Sequence, residues 1–302
     1  PLIFGKLSLM AIVHPQYDPV ALDLGFLQMH WYGLMYLLAF ASAYGLAWYR
    51  SKQRSDFTAD MVSDLVFFGA MGVILGGRVG YVLLYNFSEF LANPAYLFKV
   101  WEGGMSFHGG FMGVVLAMWF FAKKYQKSAF AVLDFVAPCV PLGLLFGRLG
   151  NFINGELWGR VSSGDYGYLM YFPQAVYADQ NLLTHSPELA PLAQQVGEYL
   201  LLPRHPSQLY QAFTEGVLLF ILLWLFSLKA RPRYAVSALF LMGYGLSRFT
   251  TEFFREPDVG YTLIFGWMSK GQLFSLPMII VGIALLVLAY KRPIYDIQPI
   301  QK

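Results

Sequence analysis

Long apolar runs broken by short basic clusters dominate this chain. Seven such runs lie near 30–49, 61–85, 105–122, 130–150, 207–228, 235–254 and 272–290. Each holds about 18 or more residues, enough to cross roughly 30 Å of hydrocarbon at 1.5 Å per residue. The pattern predicts an all-α polytopic membrane protein with seven transmembrane helices in a single membrane domain covering 1–302. Lys and Arg set its orientation. Arg50, Lys52 and Arg54, then Lys123, Lys124 and Lys127, then Lys229, Arg231 and Arg233, and finally Lys291, Arg292 and Lys302 mark alternate loops and the tail. These are 12 of the 21 basic residues. The opposite loops, 86–104, 155–206 and 255–271, are nearly free of basic clusters. By the positive-inside rule the N-terminus is expected outside and the C-terminus in the cytoplasm. Residues 1–20 lack an uninterrupted apolar core, so they read as an external segment against the membrane surface rather than a signal peptide. The stretch 155–206, rich in Gly, Pro, Asp and Gln, reads as a small extracytoplasmic cap between the fourth and fifth helices.

Composition removes the soluble alternatives. Of 302 residues, 57% are hydrophobic and 13% charged, about half the charge usual in soluble proteins. Aromatics at 18% suit interfacial belts. The single cysteine, Cys139, excludes an internal disulfide and any multi-cysteine metal site, and reads as a small core hydrophobe. A net charge of +3, scattered along the chain, argues against nucleic acid as a partner. No internal repeat supports a transporter built from inverted halves.

With so little charge, each ionisable group inside a span becomes a functional candidate, because burial in hydrocarbon costs a few kcal/mol or more. Counted from the cytoplasmic ends, His108 and Arg248 lie about 22 and 21 Å up, and Arg148, Arg78, Tyr32 and Glu252 about 27 Å up. Five spans thus place polar groups in one layer near the outer face, which predicts a polar chamber there. Arg148 and Arg248 can grip a phosphate through paired N–H donors. Tyr244, Arg248, Glu252 and Arg255 fall at i, i+4, i+8 and i+11, predicting one helical face on which Glu252 orients Arg248. Asn151, three residues after Arg148, is expected to face the same way. His108 sits between Gly103-Gly104 and Gly109-Gly110, glycines that let backbone approach a ligand and let the helix start bend. Its imidazole suits general-base work. Gly69, Gly72, Gly76, Gly77 and Gly80 read as a helix-packing face. Asp134, near the cytoplasmic end, reads as structural. Ser207 reads as a helix cap, and His205 either as part of that helix entry or as a substrate contact. His14 and His185 lack metal-ligand spacing, and no G-x-S-x-G supports a serine hydrolase.

One run, Gly147-Arg148-Leu149-Gly150-Asn151-Phe152-Ile153-Asn154-Gly155-Glu156-Leu157-Trp158-Gly159, resembles the signature of the bacterial prolipoprotein diacylglyceryl transferase family. Four further stretches match that family in order. They are His30-Trp31-Tyr32-Gly33; Gly103-Gly104-Met105-Ser106-Phe107-His108-Gly109-Gly110; Arg204-His205-Pro206-Ser207-Gln208-Leu209-Tyr210; and Tyr244-Gly245 with Arg248 and Glu252-Phe253-Phe254-Arg255. The resemblance spans about Asp18 to Tyr290. It implies a seven-helix enzyme of the bacterial inner membrane. No Asp/Glu/His cluster offers a metal site, so no cofactor is expected, and a site built from one chain needs no partner subunit. Such an enzyme moves the diacylglyceryl group of phosphatidylglycerol onto the thiol of a lipobox cysteine in a preprolipoprotein, and glycerol 1-phosphate leaves. The resemblance further implies activity at Tyr32, His108, Arg148, Asn151, Glu156, Gly159, Tyr244, Arg248, Glu252 and Arg255. His30, Arg78 and His205 are additional substrate-binding candidates of this sequence beside them. In this reading Tyr32, Asn151 and Tyr244 orient the headgroup while His108 raises the thiolate fraction of a thiol whose ordinary pKa is about 8.5. A transporter would need a polar path to both faces, a lipid-binding scaffold would tolerate loss of Arg148, and a phospholipase would use water in place of the thiol.

Overall fold

The computed structural model describes residues 12–25, 28–54, 56–99, 103–163, 168–257 and 263–296. Lys302, one of the predicted cytoplasmic markers, lies outside the described residues. The chain is mostly helical, and a long helix falls on each of the seven predicted runs. These are α1 Trp31–Lys52, α2 Ala59–Tyr85, α3 Phe107–Lys124, α4 Ala129–Ile153, α5 Ser207–Ser227, α6 Ala235–Thr251 and α7 Lys270–Lys291. Four of them, α2, α4, α5 and α7, are long and apolar enough to cross a membrane. Together they give a multi-pass membrane protein.

The helix starts follow local chemistry. The Thr58 hydroxyl accepts the Met61 amide at 3.3 Å ahead of α2, and Ser106 accepts the Gly109 amide at 3.2 Å ahead of α3. In α4 the prolines Pro138 and Pro141 tighten the middle into a 3₁₀ turn at Ala137–Cys139. The fifth helix widens into a π-helical segment over Ala212–Leu218.

The chain divides into two compact units. One comprises Phe40–Val140, Leu223–Phe240 and Ile283–Lys302. Its core gathers Phe57, Val62, Leu65, Phe121, Val132, Phe135 and Cys139, all buried, with Phe57 and Phe135 stacked at 3.9 Å. Within it α2 packs closely on α3 through glycine. A Cβ at Gly72 would stand 2.7 Å from the Gly113 carbonyl oxygen, and one at Gly80 2.6 Å from the Gly109 Cα. Lipid-solvated helices lack a hydrophobic drive to associate, so backbone approach of this kind supplies the attraction instead. The structure bears out the packing face at Gly72, Gly76 and Gly80. It corrects the reading of Gly109, whose missing side chain accommodates α2 rather than a ligand.

Asp134 is structural as expected. It accepts the Tyr234 amide at 2.7 Å and the Ser237 amide and hydroxyl at 2.8 and 2.5 Å, closing the start of α6. Arg50 is only 6% exposed. It donates to the Ser227 hydroxyl at 2.7 Å and lies over the Phe135 and Trp224 rings. A residue that the sequence marks only as a loop charge is thus also a packing element.

The other unit comprises Pro1–Ala39, Pro141–Leu222 and Leu241–Gly282. Besides its helices it carries small strands. Ile12–Val13 pairs in parallel with Met170–Tyr171, which pairs antiparallel with Pro203–Arg204. A hairpin joins Val20–Asp23 to Gln28–His30, and a second joins Gln194–Val196 to Tyr199–Leu201. The 155–206 stretch is organised on one buried pair: Arg204 and Asp179, both with side chains 0% exposed, meet at 2.7 Å. Arg204 also donates to the Gly159 carbonyl at 3.0 Å and Asp179 accepts the Leu202 amide at 2.9 Å. Removing one partner of such a pair strands a buried charge and costs about 3–5 kcal/mol.

The glycine seam between α2 and α3 sets a first prediction. Gly113→Val drives a branched side chain against the Gly72 carbonyl, and the unfolding midpoint in detergent should fall, by about 1–3 kcal/mol of stability. Gly45→Ala, where an added Cβ meets open space, should hold or raise it by up to about 1 kcal/mol. Equal midpoints for the two variants would contradict the seam.

Candidate active site

The signature run ends α4 and turns sharply. Gly155 and Leu157 adopt positive φ of 65° and 57°, and the Glu156 amide returns to the Asn151 carbonyl at 3.0 Å. That turn brings the Glu156 carboxylate back to its own helix. Tyr32 donates its hydroxyl to Glu156 Oε1 at 2.6 Å, and Asn151 donates to the same oxygen at 2.9 Å and to the Tyr32 hydroxyl. Gln208, fully buried on α5, fixes the turn from the other side by donating to the Glu156 carbonyl at 2.7 Å. Ser207 is not the helix cap the sequence predicts. Its hydroxyl donates to the Leu157 carbonyl at 3.0 Å and so ties the start of α5 to the signature turn.

Gly159 sits where no side chain fits. Its amide donates to the His205 carbonyl at 2.8 Å, it bridges Arg255, and a Cβ there would stand 2.5 Å from the Phe254 carbonyl oxygen. His205 lies beside the Tyr210 hydroxyl, its Nδ1 3.2 Å away, and edge-on to Phe254. His30 ends the hairpin, exposed, with Nδ1 3.3 Å from the Pro19 carbonyl.

Arg148 and Arg248 meet through a carboxylate that is not among the sequence-predicted site residues. Glu215, in the π-helical segment of α5, has a side chain 0% exposed. Its Oε2 accepts from Arg148 Nε at 3.0 Å and stands 3.0 Å from Nη2 of the same guanidinium. Its Oε1 stands 3.9 Å from Arg248 Nη1. Arg248 Nη2 then pairs with Glu252 at 3.2 Å, as predicted, and Glu252 with Arg255 at 3.4 Å. Tyr244 stands within electrostatic reach of Arg148 and Glu215. The result is an alternating chain, Arg148–Glu215–Arg248–Glu252–Arg255. Burial of three guanidinium groups is tolerable because each has a carboxylate beside it. Glu215 was detectable in principle, since it is an ionisable residue inside an apolar run, the criterion that selected the two arginines.

One detail differs from the predicted geometry. Arg255 does not continue the face of α6, which ends at Thr251. It follows a turn, bridges Gly159, and reaches back to Glu252. Asn151, three residues after Arg148 on α4, binds Tyr32 and Glu156. Of the predicted polar layer, Tyr32, Arg148, Arg248 and Glu252 therefore gather in one unit, in two linked clusters. Arg78 belongs to the other unit. It is 2% exposed, and its guanidinium donates to the carbonyls of Tyr96, Leu97, Gly103 and Gly104 at 2.5–3.4 Å. His108 stands in the first turn of α3, behind the Gly103-Gly104 turn whose φ angles are 78° and 80°, and its side chain lies outside the described residues.

Residues 19–288 match the family described as prolipoprotein diacylglyceryl transferase. The phosphatidylglycerol–prolipoprotein diacylglyceryl transferase of Psychrobacter arcticus is 67% identical over 287 residues, covering 94% of this chain and 97% of its own length. Enzymes of the same name from Acinetobacter baumannii and Acinetobacter baylyi are 58% and 57% identical, covering 95% and 96% of this chain and 98% of their own lengths.

Two histidines outside the spans make stability depend on pH. Burial pushes the rings of both His14 and His205 below the ordinary imidazole value, in His14 against the opposing effect of its bond to the Phe152 carbonyl. The neutral rings thus favour the fold. Their contribution is complete above about pH 6.5 and is lost as acid charges them. Between pH 7.5 and 5.5 the unfolding midpoint of the unaltered protein should drop more than that of a His14→Gln, His205→Gln double variant. A parallel drop would remove these residues from the account.

Proposed function

The chain belongs to the prolipoprotein diacylglyceryl transferase family, and from that premise we propose that it transfers the diacylglyceryl group of phosphatidylglycerol to the thiol of a lipobox cysteine in a preprolipoprotein. A thioether forms and glycerol 1-phosphate leaves, the first step of lipoprotein maturation. The observation that carries this reading is the pair of arginines, Arg148 and Arg248, held by one buried carboxylate within apolar helices. A phosphodiester is the anion that such a pair recognises on a lipid.

The chemistry divides among the residues as follows. Sulfur attacks the glycerol carbon that bears the phosphate, and the carbon–oxygen bond breaks with its electrons on the leaving phosphate. Arg148 and Arg248 stabilise the charge that develops there, in surroundings where water screens little. His108 takes the thiol proton, raising the fraction of the reactive thiolate. Tyr32, Asn151 and Tyr244 orient the headgroup, with Glu156 fixing the first two by its hydrogen bonds. Glu252 sets Arg248 and Arg255, and Gly159 lets the His205 and Arg255 segments close together. Arg78 acts by holding the Gly103-Gly104 turn ahead of His108. His30 and His205 complete the substrate-facing set.

The enzyme sits in the bacterial inner membrane as a monomer in the lipid bilayer. All seven helices cross it, with the N-terminus outside, the C-terminus in the cytoplasm, and the 155–206 stretch as a cap on the outer face of a single membrane domain. The acceptor cysteine arrives on the outer face, beside the predicted polar layer.

Purified protein with labelled phosphatidylglycerol and a lipobox peptide should yield thioether and glycerol 1-phosphate, and a Cys→Ser peptide should yield neither. Release of glycerol 1-phosphate without peptide would point to a phospholipase instead. Arg148→Ala and Arg248→Ala should each lower kcat/KM by about 10²-fold or more. For His108→Gln the loss should be large with an ordinary thiol and smaller with a peptide whose thiol has a depressed pKa; equal turnover with both would remove the base role.

A further inference from the structure

Three guanidinium groups and two carboxylates alternate in the chain from Arg148 to Arg255, so its formal sum is a single positive charge. The signs are not equally open. The side chains of Arg148 and Arg248 are 16% exposed, whereas that of Glu252 is 4% and that of Glu215 is 0% exposed. The acids therefore lie behind the arginines. Arg248 Nη1, itself buried and without a hydrogen-bond partner among the described residues, stands 3.9 Å from Glu215 Oε1, so the Glu215 charge acts on both arginines. Glu156 stands apart from this sum, since its carboxylate accepts from the neutral groups of Tyr32 and Asn151.

We infer that Glu215 tunes the charge of the phosphate site so that it holds a singly charged phosphodiester and lets go of the doubly charged monoester. The inference rests on the proposed transferase activity. In that reaction the carbon–sulfur bond forms, the carbon–oxygen bond breaks, and the electron pair stays on phosphate oxygen. The phosphodiester enters with one negative charge. The monoester that leaves has a second pKa of about 6, so at neutral pH it carries nearly two. Three arginines without the acids would hold the dianion more tightly than the reactant, and the product would remain bound. A buried carboxylate between the two arginines repels the dianion about twice as strongly as the monoanion, because the Coulomb energy scales with the product of the charges. Glu215 is thus a positioning residue for Arg148 and also a device for product release.

The test compares two soluble headgroup anions as inhibitors of thioether formation at pH 7.5. One is glycerophosphoglycerol, a singly charged diester; the other is glycerol 1-phosphate. The unaltered enzyme should bind the diester more tightly than the monoester. In Glu215→Gln the inhibition constant for glycerol 1-phosphate should fall about tenfold or more, and the order of the two anions should reverse. Glu252→Gln removes the same unit of charge from the other side of Arg248 and should move the constant in the same direction, while Glu215→Asp should keep the original order. A merely structural Glu215 would weaken both anions together in the Gln variant, and that result would overturn the inference. So would an unaltered enzyme that binds the monoester as tightly as the diester, a measurement that needs no variant. Titration calorimetry with the same two anions reads the preference without turnover. Absence of thioether from phosphatidylglycerol would therefore defeat the transferase reading separately.

Discussion

The cost of holding charge away from water governs this molecule more than any other term. A lone guanidinium inside an apolar helix bundle is several kcal/mol out of balance, and an oppositely charged neighbour in good geometry recovers most of that. The chain from Arg148 through Glu215, Arg248 and Glu252 to Arg255 is the solution found here. Several backbone contacts of this unit tie together the segments that carry these side chains. The π-helical widening of α5 contains Glu215, and departures of this kind from the α-helix recur at functional positions.

The supports are largely backbone contacts. Gln208 and Ser207 at the start of α5 bind the carbonyls of Glu156 and Leu157, so the helix that carries Glu215 is tied to the turn that carries Glu156. Gly159 permits the His205 and Phe254 carbonyls to approach, and Arg204 clamps the Gly159 carbonyl while pairing with Asp179. A substitution in the 155–206 stretch can therefore reach the arginines through main-chain geometry, without touching a substrate. In the other unit Arg78 plays a comparable part, collecting four carbonyls around the turn that precedes α3.

Much of this was legible in the chain. The seven apolar runs coincide with seven helices to within a few residues, because hydrophobic length is a strong and local signal. The Glu252–Arg248 pair follows from helical spacing alone. The glycine face of α2 was legible as well, but its partner was not, since Gly109 and Gly113 are as well suited by sequence to meet a ligand as to meet a helix. Arg255 was misplaced because a helical wheel assumes that the helix continues, and α6 stops at Thr251. Glu215 lies 67 residues from Arg148, a separation that leaves no spacing in the sequence to mark the two as partners.

The sequence by itself determined the class of protein, the helical runs, and the family to which its motifs point. Each of these depends on composition or on residues close together in the chain. Only the tertiary structure decided which carboxylate answers which arginine, that Asn151 serves Tyr32 and Glu156 rather than Arg148, and that Arg78 holds a turn. These are choices among partners distant in sequence. The physical reason is that the energy of a buried charge depends on separations of a few ångströms between side chains from different helices, and local sequence carries no record of those distances.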